Sequence, residues 1–262
     1  MKFTLLGTGN GAMLPVYGCD CKACTRASEN PQYQRNKTSA MLEHKGKTLL
    51  IDANLPDLLQ RFPSGSIDRI LLTHYHIDHV QSLFDLREGI GVSIPVYGPY
   101  DEHGCDNLYK HPGILKFQPP FAPFQTFEWQ EISITAIPLN HSRACLGYVF
   151  HWCGIRIAYL TDTYGLNESA TLWFQDNPVE WMFIDCGYAP LDVRGNITTN
   201  NHSTFEQIED IQRRCKPKYL RLLHISHTFE TWAMETSAYF SDSLDMAHDG
   251  LSIEYSGMQI ND

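Results

Sequence analysis

No run of about 18 apolar residues occurs in the 262-residue chain, so no segment reads as a membrane-spanning helix. Basic residues are also scarce. Lys+Arg number 20 against 30 Asp+Glu, a net charge of -10. That excludes a broad basic nucleic-acid surface and argues against docking on anionic lipid. No repeat at a 20–50-residue period, no low-complexity tract and no Gly/Ser- or Pro-rich linker divides the chain. The expectation is therefore one domain over residues 1–262. After Lys2 the apolar stretch Phe3–Leu6 is too short for a secretion signal, which predicts a cytoplasmic, reducing setting. Hydrophobic residues make up 43%, enough for a packed core.

What is present is a strand-rich pattern in both halves. Strands are expected at Lys2–Leu6, Ser39–Glu43, Thr48–Ile51, Arg69–Leu72, Ile94–Tyr97, Glu131–Ile137, Gly147–His151, Arg156–Tyr159, Trp181–Ile184, Tyr219–Leu223 and Leu251–Tyr255. Helices are expected at Leu55–Arg61, at Asn167–Gln175 behind an Asn cap, and at Ser203–Arg214 behind a Ser203/Glu206 capping box. Helices alternating with strands and hairpin-like pairs imply two sheets face to face with helices outside. Polar residues recur at strand ends: Asp52, His74, Asp162, Asp185 and His224. Ligands and reactive groups gather at such carboxyl ends in α/β folds.

The chemistry concentrates in Thr73-His74-Tyr75-His76-Ile77-Asp78-His79. His74 and His76, two apart in an extended turn, can share one ion. Asp78 and His79, where a helix should start, can face a second. Imidazole and carboxylate donors suit Zn, Mn or Fe. Gly7, Gly9 and Gly11 follow the first strand as G-x-G-x-G. That is not the dinucleotide spacing, and it reads as a tight strand-end turn beside the metal site. The histidines at 44, 103, 111, 151 and 248 have no partner at telling spacing and read as structural or surface residues.

His74-x-His76-x-Asp78-His79 resembles the signature of the metallo-β-lactamase superfamily. The resemblance extends over Gly7-Thr8-Gly9, Leu50-Ile51-Asp52-Ala53, Leu139-Asn140-His141-Ser142, Leu160-Thr161-Asp162-Thr163 and Leu223-His224-Ile225-Ser226-His227. It implies an α/β fold, an αββα sandwich of two mixed β-sheets flanked by helices. It further implies two catalytic ions, with His74, His76 and His141 on the first, Asp78, His79 and His224 on the second, and Asp162 between them. Two such ions about 3.5–4 Å apart can hold a bridging hydroxide and polarise a phosphoryl oxygen. Asp52 would support a ligand histidine or the signature loop; a helix cap is its other reading.

Cys19-x-Cys21-x-x-Cys24 offers three corners of a tetrahedral zinc site. A fourth ligand must come from elsewhere, and His227, three residues after His224, is the best candidate. Such a structural zinc would tie the loop at about residues 11–38 to the wall of the site. This pairing resembles the PhnP family of phosphonate breakdown, and the stretches Ile94-Pro95-Val96-Tyr97-Gly98-Pro99, Gly104-Cys105-Asp106 and Lys110-His111-Pro112-Gly113 add to the match. The resemblance implies a phosphodiesterase that opens 5-phosphoribosyl 1,2-cyclic phosphate to ribose 1,5-bisphosphate. It also suggests a homodimer. His202, just before a predicted helix, is the candidate general acid for the alkoxide leaving group, a role the resemblance also implies. The competing readings are a tRNA-processing nuclease-like or pyrroloquinoline quinone biosynthesis-like hydrolase, and a non-catalytic metal-binding regulator.

Overall fold

The computed structural model describes residues 1–256. The first sheet takes β1 (Lys2–Gly7), β2 (Ser39–His44), β3 (Lys47–Ile51), β4 (Ile67–Leu71), β5 (Ile94–Tyr97) and β6 (Leu115–Phe117). The second takes β7 (Thr126–Trp129), β8 (Ile132–Leu139), β9 (Cys145–Trp152), β10 (Ile155–Leu160), β11 (Trp181–Asp185), β12 (Tyr219–Leu223) and β13 (Leu244–Met246). β14 (Ser252–Glu254) then returns to the first sheet, antiparallel to β1. Each sheet has seven strands and both are mixed. The first is antiparallel from β1 to β3 and parallel from β3 to β6. The second is antiparallel from β7 to β10 and parallel from β10 to β13.

Alternation along the strands puts one face of each sheet into a shared apolar layer. Phe3, Leu5, Phe150, Tyr159 and Phe183 are fully buried there. The other faces are covered by helices: α2 (Leu58–Arg61), α3 (Ile77–Val80), α4 (Leu83–Leu86) and α5 (Asp106–Lys110) on the first sheet, α6 (Glu168–Asp176), α8 (Phe205–Cys215) and α9 (His227–Glu235) on the second; α1 (Lys22–Glu29) packs on α9, and α7 (Leu191–Arg194) is a short turn that buries none of its residues. Ile208 and Ile211 of α8 pack with Phe174 of α6 and Phe229 of α9 against the second sheet. This is the expected αββα arrangement.

All eleven expected strands are present, β5 and β12 with the expected bounds and the others with shifted ends. β6, β7 and β13 were not anticipated. They are three or four residues long and lie at the sheet margins, where so short a segment carries little periodicity. The Leu55–Arg61 helix contracts to α2. The capping box at Ser203/Glu206 is corrected by one residue: Thr204 caps α8 with Gln207. Ser203 is unavailable because its hydroxyl donates to the Thr163 carbonyl at 2.7 Å and accepts the Gly165 N–H at 3.0 Å. Residues 11–38 are not loop throughout, since α1 lies within them and buries Ala23, Cys24 and Ala27.

Candidate metal centre

β3 and β4 run parallel, and so do β10, β11 and β12, so each set ends at a common edge. Asp52 follows β3, Asp162 follows β10, Asp185 ends β11 and His224 follows β12. Asp52 and His224 both turn through a left-handed backbone, at φ 62 and 56. This conformation is costly for non-glycine residues and is concentrated at functional sites. Leu146 N–H donates to Thr73 O at 2.9 Å and Tyr148 Oη donates to Leu72 O at 2.7 Å. These bonds hold the signature loop of the first sheet against β9 of the second.

His74, His76 and His141 converge. His76 Nδ1 lies 2.9 Å from His74 Nε2 and 3.0 Å from His141 Nε2. The second group is Asp78, His79, Asp162 and His224, with one donor atom from each within 4.8 Å of all the others. Asp162 Oδ2 is 3.4 Å from His79 Nε2, 3.3 Å from His224 Nε2 and 4.0 Å from His74 Nε2. It therefore stands between the two groups. Ligands about 2.0–2.2 Å from a tetrahedral ion sit roughly 3.3–3.5 Å apart, which most of these spacings approach. The buried His224 Nε2 has no hydrogen-bond partner among the described residues. An ion would supply the missing one, so the donor set fits two divalent cations.

The supporting contacts fix the ring tautomers. Asp52 accepts His79 Nδ1–H at 2.7 Å, Thr73 N–H at 2.8 Å and the Thr73 hydroxyl. It is thereby committed to a ligand-type histidine and its loop, and it caps no helix. The Asn201 carbonyl accepts His141 Nδ1–H at 3.1 Å. In both cases the second ring nitrogen is left for an ion, as in most histidine metal sites. Burial opposes charge on Asp162, but His224, His79 and His74 around it outweigh burial and hold its carboxyl well below the usual range. Burial pushes the His74, His76 and His141 imidazoles below their ordinary values, which favours the neutral form that donates lone pairs.

His202 packs its ring on His224 with centroids 4.2 Å apart. Its Nδ1 donates to Asp185 Oδ2 at 2.8 Å. Burial lowers the imidazole pKa, yet Asp185 overrides it and raises the value to about 9. Asp185 had been noticed only as a strand-end residue. Its recurrence with the other strand-end ligands was the available signal, but its partner His202 is 17 residues away in sequence. Gly11 was read as part of a turn beside the site. A Cβ there would lie 2.8 Å from Asp78 Oδ2.

Cys19, Cys21, Cys24 and His227 also meet, with one donor atom from each within 4.8 Å of the rest. His227 Nδ1 is 3.3 Å from Cys19 Sγ and 3.5 Å from Cys21 Sγ. Soft thiolates with one imidazole fit a tetrahedral zinc. His227 and Val16 also line the cavity that holds His76, Asp78, His141, Asp162 and His224, so this group braces its wall.

Fold and site together define a metallo-β-lactamase-type hydrolase framework with clusters of metal-type donors between the sheet ends. The beta-lactamase superfamily domain matches residues 47–225, and the chain belongs to that superfamily. A diphosphatase from the PhnP family aligns over 97% of this chain and 96% of its own, with a TM-score of 0.79 and 26% identity. Zn(2+)-bound PqqB from Methylobacterium extorquens shares the fold at TM-score 0.79 and 20% identity, over 97% of this chain and 100% of that one. By sequence, ribonuclease Z of Clostridium acetobutylicum is 28% identical over 141 residues, 45% of each chain. An octanoyltransferase of Porphyromonas gingivalis is 41% identical over 91 residues, 33% of this chain and 18% of that one. The chain spans less than half the length of these two curated relatives. Among the described residues no helix is long and apolar enough to cross a membrane.

Proposed function

We propose that this protein is a dinuclear metal-dependent phosphodiesterase acting on a small cyclic ribosyl phosphate in phosphonate breakdown. Its substrate would be 5-phosphoribosyl 1,2-cyclic phosphate and its product ribose 1,5-bisphosphate. The observation that carries this reading is the His202–Asp185 pair, set against His224 at the edge of the seven-residue donor cluster. An acid beside a two-ion centre suits a phosphoester whose leaving oxygen is a poor one. The likeness to a PhnP-family diphosphatase supports the same chemistry.

His74, His76 and His141 would hold one ion, Asp78, His79 and His224 the other, with Asp162 shared. Zn, Mn or Fe suits these donors. Bound divalent ions supply Lewis-acid polarisation of the phosphoryl group and a nucleophilic water at neutral pH. His202, held through Nδ1, turns its Nε2 edge away from Asp185 and passes that proton to the departing ribose oxygen. The P–O bond to the sugar breaks as the bond to the water oxygen forms, and the imidazole regains a proton from water. Asp185 keeps the ring oriented and favours its charged form. Cys19, Cys21, Cys24 and His227 would hold a structural zinc outside this chemistry.

The net charge of -10 favours a small molecule over a long polyanion such as a tRNA precursor. The test is direct. The protein, reconstituted with Mn or Zn, is given the cyclic ribosyl phosphate, a linear phosphodiester and a tRNA precursor. Phosphorus NMR should show ribose 1,5-bisphosphate forming fastest. Turnover of the tRNA precursor alone, or of none of the three, would defeat the reading.

A further inference from the structure

The metal cavity encloses about 400 Å³, and one of its walls takes no part in the chemistry above. Asn10, Ser226 and Thr228 lie on that wall. Ser226 caps α9. Its Oγ accepts the Phe229 N–H at 3.1 Å and donates to the Gly187 carbonyl at 2.8 Å. It also lies 3.0 Å from Thr228 Oγ1. A hydroxyl has one hydrogen and two lone pairs. Because the hydrogen of Ser226 is committed to Gly187, the hydroxyl of Thr228 must donate to Ser226. Ser226 is then fully used. Thr228 Oγ1, which is exposed, keeps lone pairs and has no hydrogen to give.

Asn10 is fixed with the opposite polarity. Its N–H donates to the Ile225 carbonyl at 3.2 Å, and its Oδ1 accepts the Ala12 N–H at 3.1 Å. The amide orientation is thereby set, and the Nδ2 donors are the remaining polar end. Ionised phosphoryl oxygens only accept hydrogen bonds and cannot satisfy Thr228. Hydroxyl groups both donate and accept, so a polyol has the chemistry to satisfy both Thr228 and Asn10.

We propose that Thr228, with Asn10, reads a hydroxyl group on the substrate, so that the enzyme selects polyol phosphodiesters, sugars above all, over diesters without hydroxyls. This rests on the phosphodiesterase reading above and adds the selectivity of its cavity. A site built to bond a hydroxyl rejects analogues lacking one, because its polar groups are then left unpaired.

The test uses the metal-loaded protein and Thr228→Val, which keeps the shape of the side chain and the cap from Ser226. Turnover of the cyclic ribosyl phosphate is compared with that of bis(p-nitrophenyl) phosphate, which has no hydroxyl. The ratio of kcat/KM values, ribosyl over aryl, should fall roughly five- to tenfold, mainly through KM, and Thr228→Ser should restore it. An unchanged ratio overturns the proposal. A binding arm stands apart from catalysis. Calorimetry compares ribose 5-phosphate with tetrahydrofurfuryl phosphate, the same ring phosphate without hydroxyls. The native protein should prefer the first and Thr228→Val should lose that preference. Absence of any preference in the native protein overturns the hydroxyl reading, whereas failure of all diester turnover with the preference intact would defeat only the phosphodiesterase reading.

Discussion

Asp185, fully buried at the end of β11, accepts the Nδ1–H of His202 at 2.8 Å through the same oxygen that accepts the Thr163 N–H at 2.9 Å. A carboxylate held this way cannot swing, so the imidazole it holds cannot either. Asp185 also keeps its other oxygen 3.8 Å from His224 Nδ1. That oxygen is beyond hydrogen-bond reach of His224 and has no hydrogen-bond partner among the described residues, so Asp185 orients the proposed acid alone.

This pairing gives a leaving-group prediction. An acid matters in proportion to how poor the leaving group is. Ribose oxygen leaves as an alkoxide and needs a proton, whereas p-nitrophenolate leaves as a stable anion. His202→Ala should slow hydrolysis of the cyclic ribosyl ester about 10²-fold or more and an activated aryl diester far less. Asp185→Asn should give a smaller loss with a displaced pH profile. Asp185 raises the His202 pKa, so its removal lowers it and the alkaline limb of the rate should move to lower pH. Equal losses on both substrates, with an unmoved limb, would mean that the pair only positions phosphate.

Much of this site was legible in the sequence, and the reason is topological. Parallel β10, β11 and β12 bring their carboxyl ends together, so Asp162, two residues after β10, and His224, directly after β12, share an edge of the second sheet, while Asp52 directly follows β3 at the matching edge of the first. His74, His76, Asp78 and His79 fall within one turn and needed no tertiary knowledge. The assignment of His141 and the grouping of Cys19, Cys21 and Cys24 with His227 leaned on family resemblance, since 208 residues separate Cys19 from His227. The Asp185–His202 bond and the hydroxyl bookkeeping at Ser226 were not legible, because they depend on loop paths. α9 escaped notice for a related reason: its first residue, His227, was read only as a ligand.

Asp162 would carry the proposed two-ion arrangement. Asp162→Ala should leave the chain folded, because little apolar packing is lost, yet bind fewer than two ions at this centre and lose nearly all turnover. Metal analysis after gel filtration, alongside circular dichroism, checks both halves. Full activity in that variant would rule out a bridging role.

The cysteine group makes a different prediction. Cys24 lies on the buried face of α1, and its Sγ accepts the Val16 N–H at 3.4 Å. Cys24→Ser should release one zinc per chain and lower the melting temperature, since three remaining ligands hold the ion poorly. The catalytic ions should follow only at higher chelator concentration. A chelator titration with a zinc-sensitive dye separates the two classes. A single class, unchanged by the substitution, would mean that no structural ion is held there.

The last prediction concerns Gly11, whose missing side chain leaves room for a ligand. A Cβ at that position would stand 2.8 Å from Asp78 Oδ2, closer than real Cβ contacts allow, and a tight 3.3 Å from Asp78 Cγ. Gly11 cannot simply retreat, because the neighbouring Asn10 N–H is tied to the Ile225 carbonyl and Met13 N–H to the Asn10 carbonyl. The carboxylate must move instead. Asp78 is half-buried at the start of α3 and is one of four donors proposed for the second ion. Gly11→Ala should therefore weaken that ion alone, by roughly 10- to 100-fold in affinity, the range seen when a ligand's support is disturbed. The ion held by His74, His76 and His141 should keep its affinity. Turnover should fall at low metal and recover at high metal, because no donor has been removed. Stepwise metal titration by calorimetry resolves the two ions. Equal weakening of both, or a loss of activity that excess metal does not restore, would place the effect of Gly11 on the fold of the turn and not on Asp78.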